Sequence, residues 1–192
     1  MKTCEALKLI EKYYPQDSEA SRYYRIHVNA VAKAAELIVL NNPHLNVDIE
    51  KVKVMALLHD IGIFMTDAPA IGCYGKYPYL AHGYLGRELL VKECFLDISP
   101  VCERHVGIGL SLTDIEKNLL PLPHRDMQPQ TIEEKIVCYA DKFFSKSSPR
   151  PEMPKPVEKI INNLKKYGND KIEKFLEMEK MFGSGYIYEN FR

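Results

Sequence analysis

The chain carries no net charge, no paired cysteine motif, no long apolar run and no alternating strand pattern in its 192 residues. Its 26 Lys and Arg balance its 26 Asp and Glu, so the whole-chain field pulls toward neither nucleic acid nor an anionic membrane, and any attraction for anions has to be local. Five cysteines (Cys4, Cys73, Cys94, Cys102, Cys138) form no CxxC pair. An odd, scattered set argues against a thiolate zinc site and against a disulfide framework, and fits free thiols in a reducing compartment. The opening MKTCEALKLIEKYY places charges every few residues and lacks the continuous apolar centre of a signal peptide. No stretch approaches the length of a membrane span. The expectation is a cytoplasmic chain with no membrane and no nucleic-acid partner. There is no internal repeat, and the 46% hydrophobic content is that of an ordinary globular protein, here read as a single domain over 1–192.

Helical periodicity takes the place of strands. Residues 3–14 put Leu7, Ile10 and Tyr14 on one stripe, ended by Pro15. A second helix starts near Ser18-Glu19 and runs to about Leu40 with Tyr24, Val28, Val31, Ala35 and Ile38 in register, before Asn41-Asn42-Pro43 stops it. Asp48 suits an N-cap for a helix through Val52, Met55, Ala56 and His59, with Gly62 as its C-terminal break. Residues 64–80 read as a functional loop rich in Gly, Pro and Tyr. Helices resume at His82 and at Ser99-Pro100. Thr113-x-x-Glu116 and Thr131-x-x-Glu134 have the form of capping boxes. The segment SSPRPEMPKP, with four prolines in ten residues, reads as a Pro-rich excursion over about 147–156. Two amphipathic helices follow, roughly Val157–Tyr167 and Asp170–Phe182. The fold class is all-α.

Histidine placement points to chemistry. His59 and Asp60 are adjacent at the end of an apolar helix, close enough for both to reach one ion where the helix stops. Imidazole plus carboxylate suits a borderline transition metal better than calcium or magnesium. A buried histidine or a helix C-cap would equally place such a pair. His27 lies inside another apolar helix, His82 opens a third and His105 sits in a fourth. Asp141 lies among Ile136, Val137, Tyr139, Ala140 and Phe143, where an uncompensated carboxylate is costly. It faces solvent, pairs with Lys142 or Lys146, or meets a metal. His44 and His124 lie in Pro-flanked turns and read as surface residues.

The series His27, His59-Asp60-Ile61-Gly62, Asp141 resembles the H…HD…D signature of the HD-domain metal-dependent phosphohydrolases in its HDIG variant, over about residues 20–146. The resemblance implies an all-α helical bundle, extended here by C-terminal helices, in which these residues converge on a metal. His82 and His105 follow at equal spacings of 23 residues (82 − 59 and 105 − 82). That arrangement is similar to a six-ligand, two-metal subgroup, within which the segments ERHVGIGLS and EEKIVCYADK resemble small HDIG proteins and, more distantly, bacterial symmetrical diadenosine tetraphosphate hydrolases. It implies that His27, His59 and Asp141 hold one ion and His82 and His105 a second. Asp60 would be the bridging, catalytic carboxylate that orients a metal-activated hydroxide.

The implied cofactor is one or two divalent transition-metal ions, iron first, or manganese, cobalt, nickel or zinc. The implied substrate is a phosphate ester or anhydride of a nucleotide-like small molecule. Many HDIG proteins carry Lys after the Gly, where this chain has Ile63, so either the substrate differs or phosphate contact falls to other cations, with Lys76, Arg87, Arg104, Arg125 and Lys142 as the candidates. Two rival readings share the signature: an HD-fold di-iron oxygenase, and a non-catalytic ligand-sensing HD module. The C-terminal helices are candidates for an oligomer contact.

Overall fold

A computed structural model describes residues 1–191. Among the described residues ten α-helices are joined by 3-10 turns and one small sheet, and the all-α expectation holds. The helices are α1 (Thr3–Tyr13), α2 (Glu19–Asn41), α3 (Ile49–Leu58), α4 (His82–Lys92), α5 (Pro100–Arg104), α6 (Leu112–Lys117), α7 (Ile132–Lys142), α8 (Val157–Leu164), α9 (Asn169–Phe182) and α10 (Gly185–Asn190).

Their starts follow side-chain chemistry. Ser18 accepts from the Ser21 N–H, and Asp48 accepts from Glu50 and Lys51, satisfying amides that have no carbonyl partner inside the helix. Thr131 and Glu134 form the expected reciprocal box at α7. At α6 the box belongs to Ser111 and Asp114, not to Thr113 and Glu116. Two overlapping patterns compete there, and Ser111 alone has the extended backbone that a cap requires, while Thr113 is already helical. The stripe of α1 also differs by one position. Ala6, Leu9 and Ile10 are buried, and Leu7 is 39% exposed.

The centre of the fold is α3, with Val52, Val54, Met55, Ala56, Leu57 and Leu58 all buried. Its C-terminal half, apolar on every face after Lys53, has to be enclosed, and α1, α2 and α7 pack against the helix. Its C-terminal carbonyls are therefore out of reach of solvent, and tyrosines satisfy them. Tyr24 Oη donates to the Leu57 carbonyl at 2.7 Å, and Tyr14 Oη donates to the Ile61 carbonyl at 3.0 Å. Tyr14 Oη also accepts from the Phe64 N–H at 3.2 Å, and the Tyr14 and Tyr24 rings stack with centroids 4.0 Å apart. The turn that carries His59 and Asp60 is thus held from both sides.

Gly62 is needed there for a different reason from the one expected. Its φ of −80° is available to any residue. A Cβ, however, would lie 2.3 Å from the His82 carbonyl oxygen and 2.4 Å from the Gly86 nitrogen. Gly62 lets the chain after the His-Asp pair lie directly on the first turns of α4.

The stretch read as a loop over 64–80 folds into 3-10 turns and a sheet of β1 (Thr66–Ala68), β2 (Cys73–Tyr74) and β3 (Tyr77–Pro78) in the order β2-β1-β3. β1 pairs antiparallel with β2 (Asp67 opposite Tyr74) and parallel with β3 (Thr66 opposite Tyr77). Strands of two or three residues are too short for an alternating pattern to register. Beyond α7, the ring of Tyr139 stacks on Phe175 of α9 at 5.5 Å. α10, beyond the two C-terminal helices expected from the sequence, packs on α2 and buries Ile187.

Because the atoms facing Gly62 are backbone, Gly62→Ala forces a main-chain shift of the kind that costs about 1–3 kcal/mol. We expect a fall of several degrees in the thermal midpoint. A melting curve superimposable on the wild type would sink this account of the glycine.

Candidate metal centre

Five elements deliver the donor groups. α2 supplies His27, the end of α3 supplies His59 and Asp60, α4 opens on His82, α5 ends at His105, and the last turn of α7 supplies Asp141. These six form two groups whose ligand-capable atoms lie within 4.8 Å of one another: His27, His59, Asp60 and Asp141, and Asp60, His82 and His105. Asp60 belongs to both. Its Oδ2 lies 3.1 Å from His27 Nε2 and 3.2 Å from His59 Nε2. Its Oδ1 lies 3.3 Å from His82 Nε2 and 3.4 Å from His105 Nε2. One carboxylate thus presents an oxygen to each histidine pair.

The remaining ring nitrogens reveal what the site is prepared for. His59 Nδ1 is 2.6 Å from the Ala56 carbonyl, His82 Nδ1 is 2.6 Å from the Tyr79 carbonyl, and His105 Nδ1 is 3.2 Å from the Val101 carbonyl. A carbonyl can only accept, so each Nδ1 carries the proton, and in the neutral ring Nε2 keeps its lone pair. This is the arrangement by which second-sphere contacts orient metal-binding imidazoles. Within each pair the Nε2 atoms approach to 3.3 Å. Two lone pairs at that distance repel unless a cation or proton lies between them. Both oxygens of Asp60 are buried without a partner of hydrogen-bonding geometry, although the Lys146 ammonium stands 2.5 Å from Oδ2. The donor set, the fixed tautomers and the unsatisfied carboxylate fit a divalent metal. The negative end of the α3 dipole adds to the attraction.

Protonation follows from the same crowding. Burial acts to raise Asp60, but the Lys146 ammonium and His59 overcome it and hold the carboxyl well below its usual range. Asp141 is likewise low, with Lys142 opposing the effect of burial. His59 is pushed up to about 9 despite burial, by Asp60 and Asp141 together. His82 is pushed down to about 3 by burial, which the Asp60 charge only partly offsets. Asp141 divides its oxygens: Oδ1 faces His27 at 3.0 Å, and Oδ2 meets Lys142 Nζ at 2.8 Å.

The cations expected to meet phosphate fare differently. Arg87 and Arg125 both bind the buried carboxylate of Glu103. Arg104 lies beside His105 in sequence but bonds Glu134 at 2.8 Å. Buried carboxylates need such partners, and these arginines tie α5 to its neighbours. Lys76 is exposed on the small sheet's connection. Only Lys142 lines the cavity beside Asp141. Two further lysines line it: Lys146, which the sequence offered only as a partner for Asp141, and Lys155, which it did not offer. Lys155 stands between Pro154 and Pro156, a rigid bracket that was the one available signal. His44 and His124 are exposed, away from the centre.

A family model described as HD domain matches residues 24–145, a span that includes all six donors. The chain belongs to the HD-domain family. Among relatives of this HD domain, the uncharacterised protein MJ0778 of Methanocaldococcus jannaschii is 34% identical over 143 residues, 73% of this chain and 76% of that protein. The tRNA (cytidine(56)-2'-O)-methyltransferase of Thermoplasma volcanium is 29% identical over 180 residues, 93% of this chain but 46% of its own length. A protein of the same name from Picrophilus torridus is 37% identical over 120 residues, 62% of this chain and 30% of its own. The HD domain thus spans less than half of either methyltransferase. No solved structure matches it. Two relatives named for tRNA leave the expected exclusion of nucleic acid without support. No helix among the described residues is long and apolar enough to cross a membrane.

The shared carboxylate gives a graded expectation for metal content. The purified wild type should carry up to two ions per chain, His82→Ala one, and Asp60→Ala close to none, as read by elemental analysis of protein freed of loose metal. Equal content in all three would refute the two-group arrangement.

Proposed function

We propose that the chain is a metal-dependent phosphohydrolase acting on a phosphate ester or anhydride of a nucleotide-like small molecule. The observation that carries this reading is the Asp60 carboxylate, which turns one oxygen to His27 and His59 and the other to His82 and His105. His27, His59 and Asp141 would hold one ion, His82 and His105 a second, and Asp60, common to both groups, would serve each. Iron is the first candidate, with manganese, cobalt, nickel and zinc as alternatives. Divalent ions held there would supply activated water and neutralise charge on phosphoryl oxygens.

The chain's own part is positional. The carbonyls of Ala56, Tyr79 and Val101 fix three imidazoles, so little reorganisation is left for the reaction. Lys142 holds the outer oxygen of Asp141 and keeps its inner oxygen on the centre. The whole of 1–192 works as one unit, because the Pro-rich excursion and the helices after it return to the end of α7. A second reading rests on the two relatives named for tRNA: the substrate phosphate belongs to an RNA.

A panel of mononucleotides, dinucleotides and tRNA, assayed with and without dioxygen, separates these readings. We expect turnover of a small phosphorylated compound that survives anaerobic conditions, stops with a chelator and returns with manganese, cobalt or iron. Asp60→Ala should lower it at least about a thousandfold, since it removes the group common to both ion positions. Turnover that requires dioxygen would replace hydrolysis with oxygenase chemistry. Turnover of tRNA alone would favour the RNA substrate.

A further inference from the structure

The centre opens on one side into a cavity of about 390 Å³. Asp141, the most exposed of the six donors at 12%, lies in its wall, with Lys142, Lys146 and Lys155 beside it. Ala68, Ile71 and Tyr79, from the small sheet and the turns after it, form the other side. Lysines are rarely drawn into a partly enclosed space unless paired, and these three are paired unequally. Lys142 is held by Asp141 and by the His105 carbonyl. Lys146 stands against Asp60 Oδ2 without hydrogen-bonding geometry. Lys155 has no carboxylate partner among the described residues.

Lys155 is nevertheless placed deliberately. Its N–H donates to the Phe143 carbonyl at 2.7 Å, and its carbonyl accepts from Tyr188 Oη at 3.0 Å. These two bonds bring the chain back to the end of α7 after the Pro-rich excursion. Burial also pushes the Lys155 ammonium down to about 8, with Asp141 opposing and Lys142 and Lys146 adding to the fall. The fold has gathered more positive charge in this hollow than its own carboxylates compensate.

We propose that Lys146 and Lys155 form a subsite for a terminal phosphate or pyrophosphate group of a mononucleotide-sized ligand, with the apolar wall around Ile71 and Tyr79 taking the organic part. The orientation of that phosphate toward the metal centre rests on the hydrolytic reading above; the subsite itself does not. A volume of 390 Å³ lies at the small end of ligand cavities, and ammonium groups bind phosphate as point charges with no demand on geometry. The Pro-rich segment is then the device that delivers Lys155, in place of a lysine following Gly62.

Inorganic pyrophosphate is the probe, titrated by calorimetry into manganese-loaded protein. The variants are Lys155→Met, Lys155→Arg and Lys146→Met, with Lys117→Met on exposed α6 as the charge-matched control. We expect Lys155→Met to weaken binding roughly tenfold or more, the loss of one charge-assisted bond, with metal content and thermal midpoint unchanged. Lys155→Arg and Lys117→Met should bind close to the wild type, and Lys146→Met should weaken binding as Lys155→Met does. Wild-type protein that does not bind pyrophosphate would overturn the subsite, as would wild-type affinity in Lys155→Met. Pyrophosphate bound through Lys155 by a protein that turns over no phosphate compound would leave the subsite standing and remove the hydrolase.

Discussion

One carboxylate organises this molecule. Asp60 is fully buried, stays ionised, and is surrounded by four imidazoles and an ammonium. An isolated carboxylate in such a place is among the most costly arrangements a fold can contain, so every neighbouring element is constrained by it. α2, α4, α5 and α7 each bring a donor or a cation to the same few ångströms, and α3 ends where it does to place the carboxylate among them. The helical framework is best understood as the support of that charge.

The support has its own physical logic. The C-terminal half of α3, apolar after Lys53, cannot end at solvent, so the hydroxyl of Tyr24 takes the place of water at the Leu57 carbonyl and that of Tyr14 at the Ile61 carbonyl in the turn that follows. Gly62 removes the one side chain that would hold α4 away. Arg87, Arg104 and Arg125 serve Glu103 and Glu134 and so fix α5, from which His105 projects. Residues that look like ligand contacts in the sequence turn out to be the joints between helices that carry ligands.

What could be read from the sequence divides along the same line. Long helices with strong periodicity, such as α2, and caps with a single candidate residue, such as Asp48, are legible because the determining interactions are local. The six donors were legible as a series because their residue types and order are distinctive, and the structure brings all six together. The α6 cap was misassigned between overlapping patterns, and the sheet over 66–78 is too short to leave a period. The partners of the arginines could not be read at all, since a buried glutamate looks like any other glutamate until packing encloses it. Lys155 was hidden for a related reason: its position depends on where a proline-rich segment returns, and prolines stiffen a path without stating its end.

The burial of the centre bears on the order of events. Five of the six donors are closed off, and Asp141 lies in the wall of the lysine-lined hollow. Ions and ligand that entered from the hollow would share one doorway. A phosphate seated there would block that exit, so metal would enter first and leave last. Exchange of metal would be slower with that ligand bound than without it, a kinetic asymmetry that follows from placing the ligand in the same wall as Asp141.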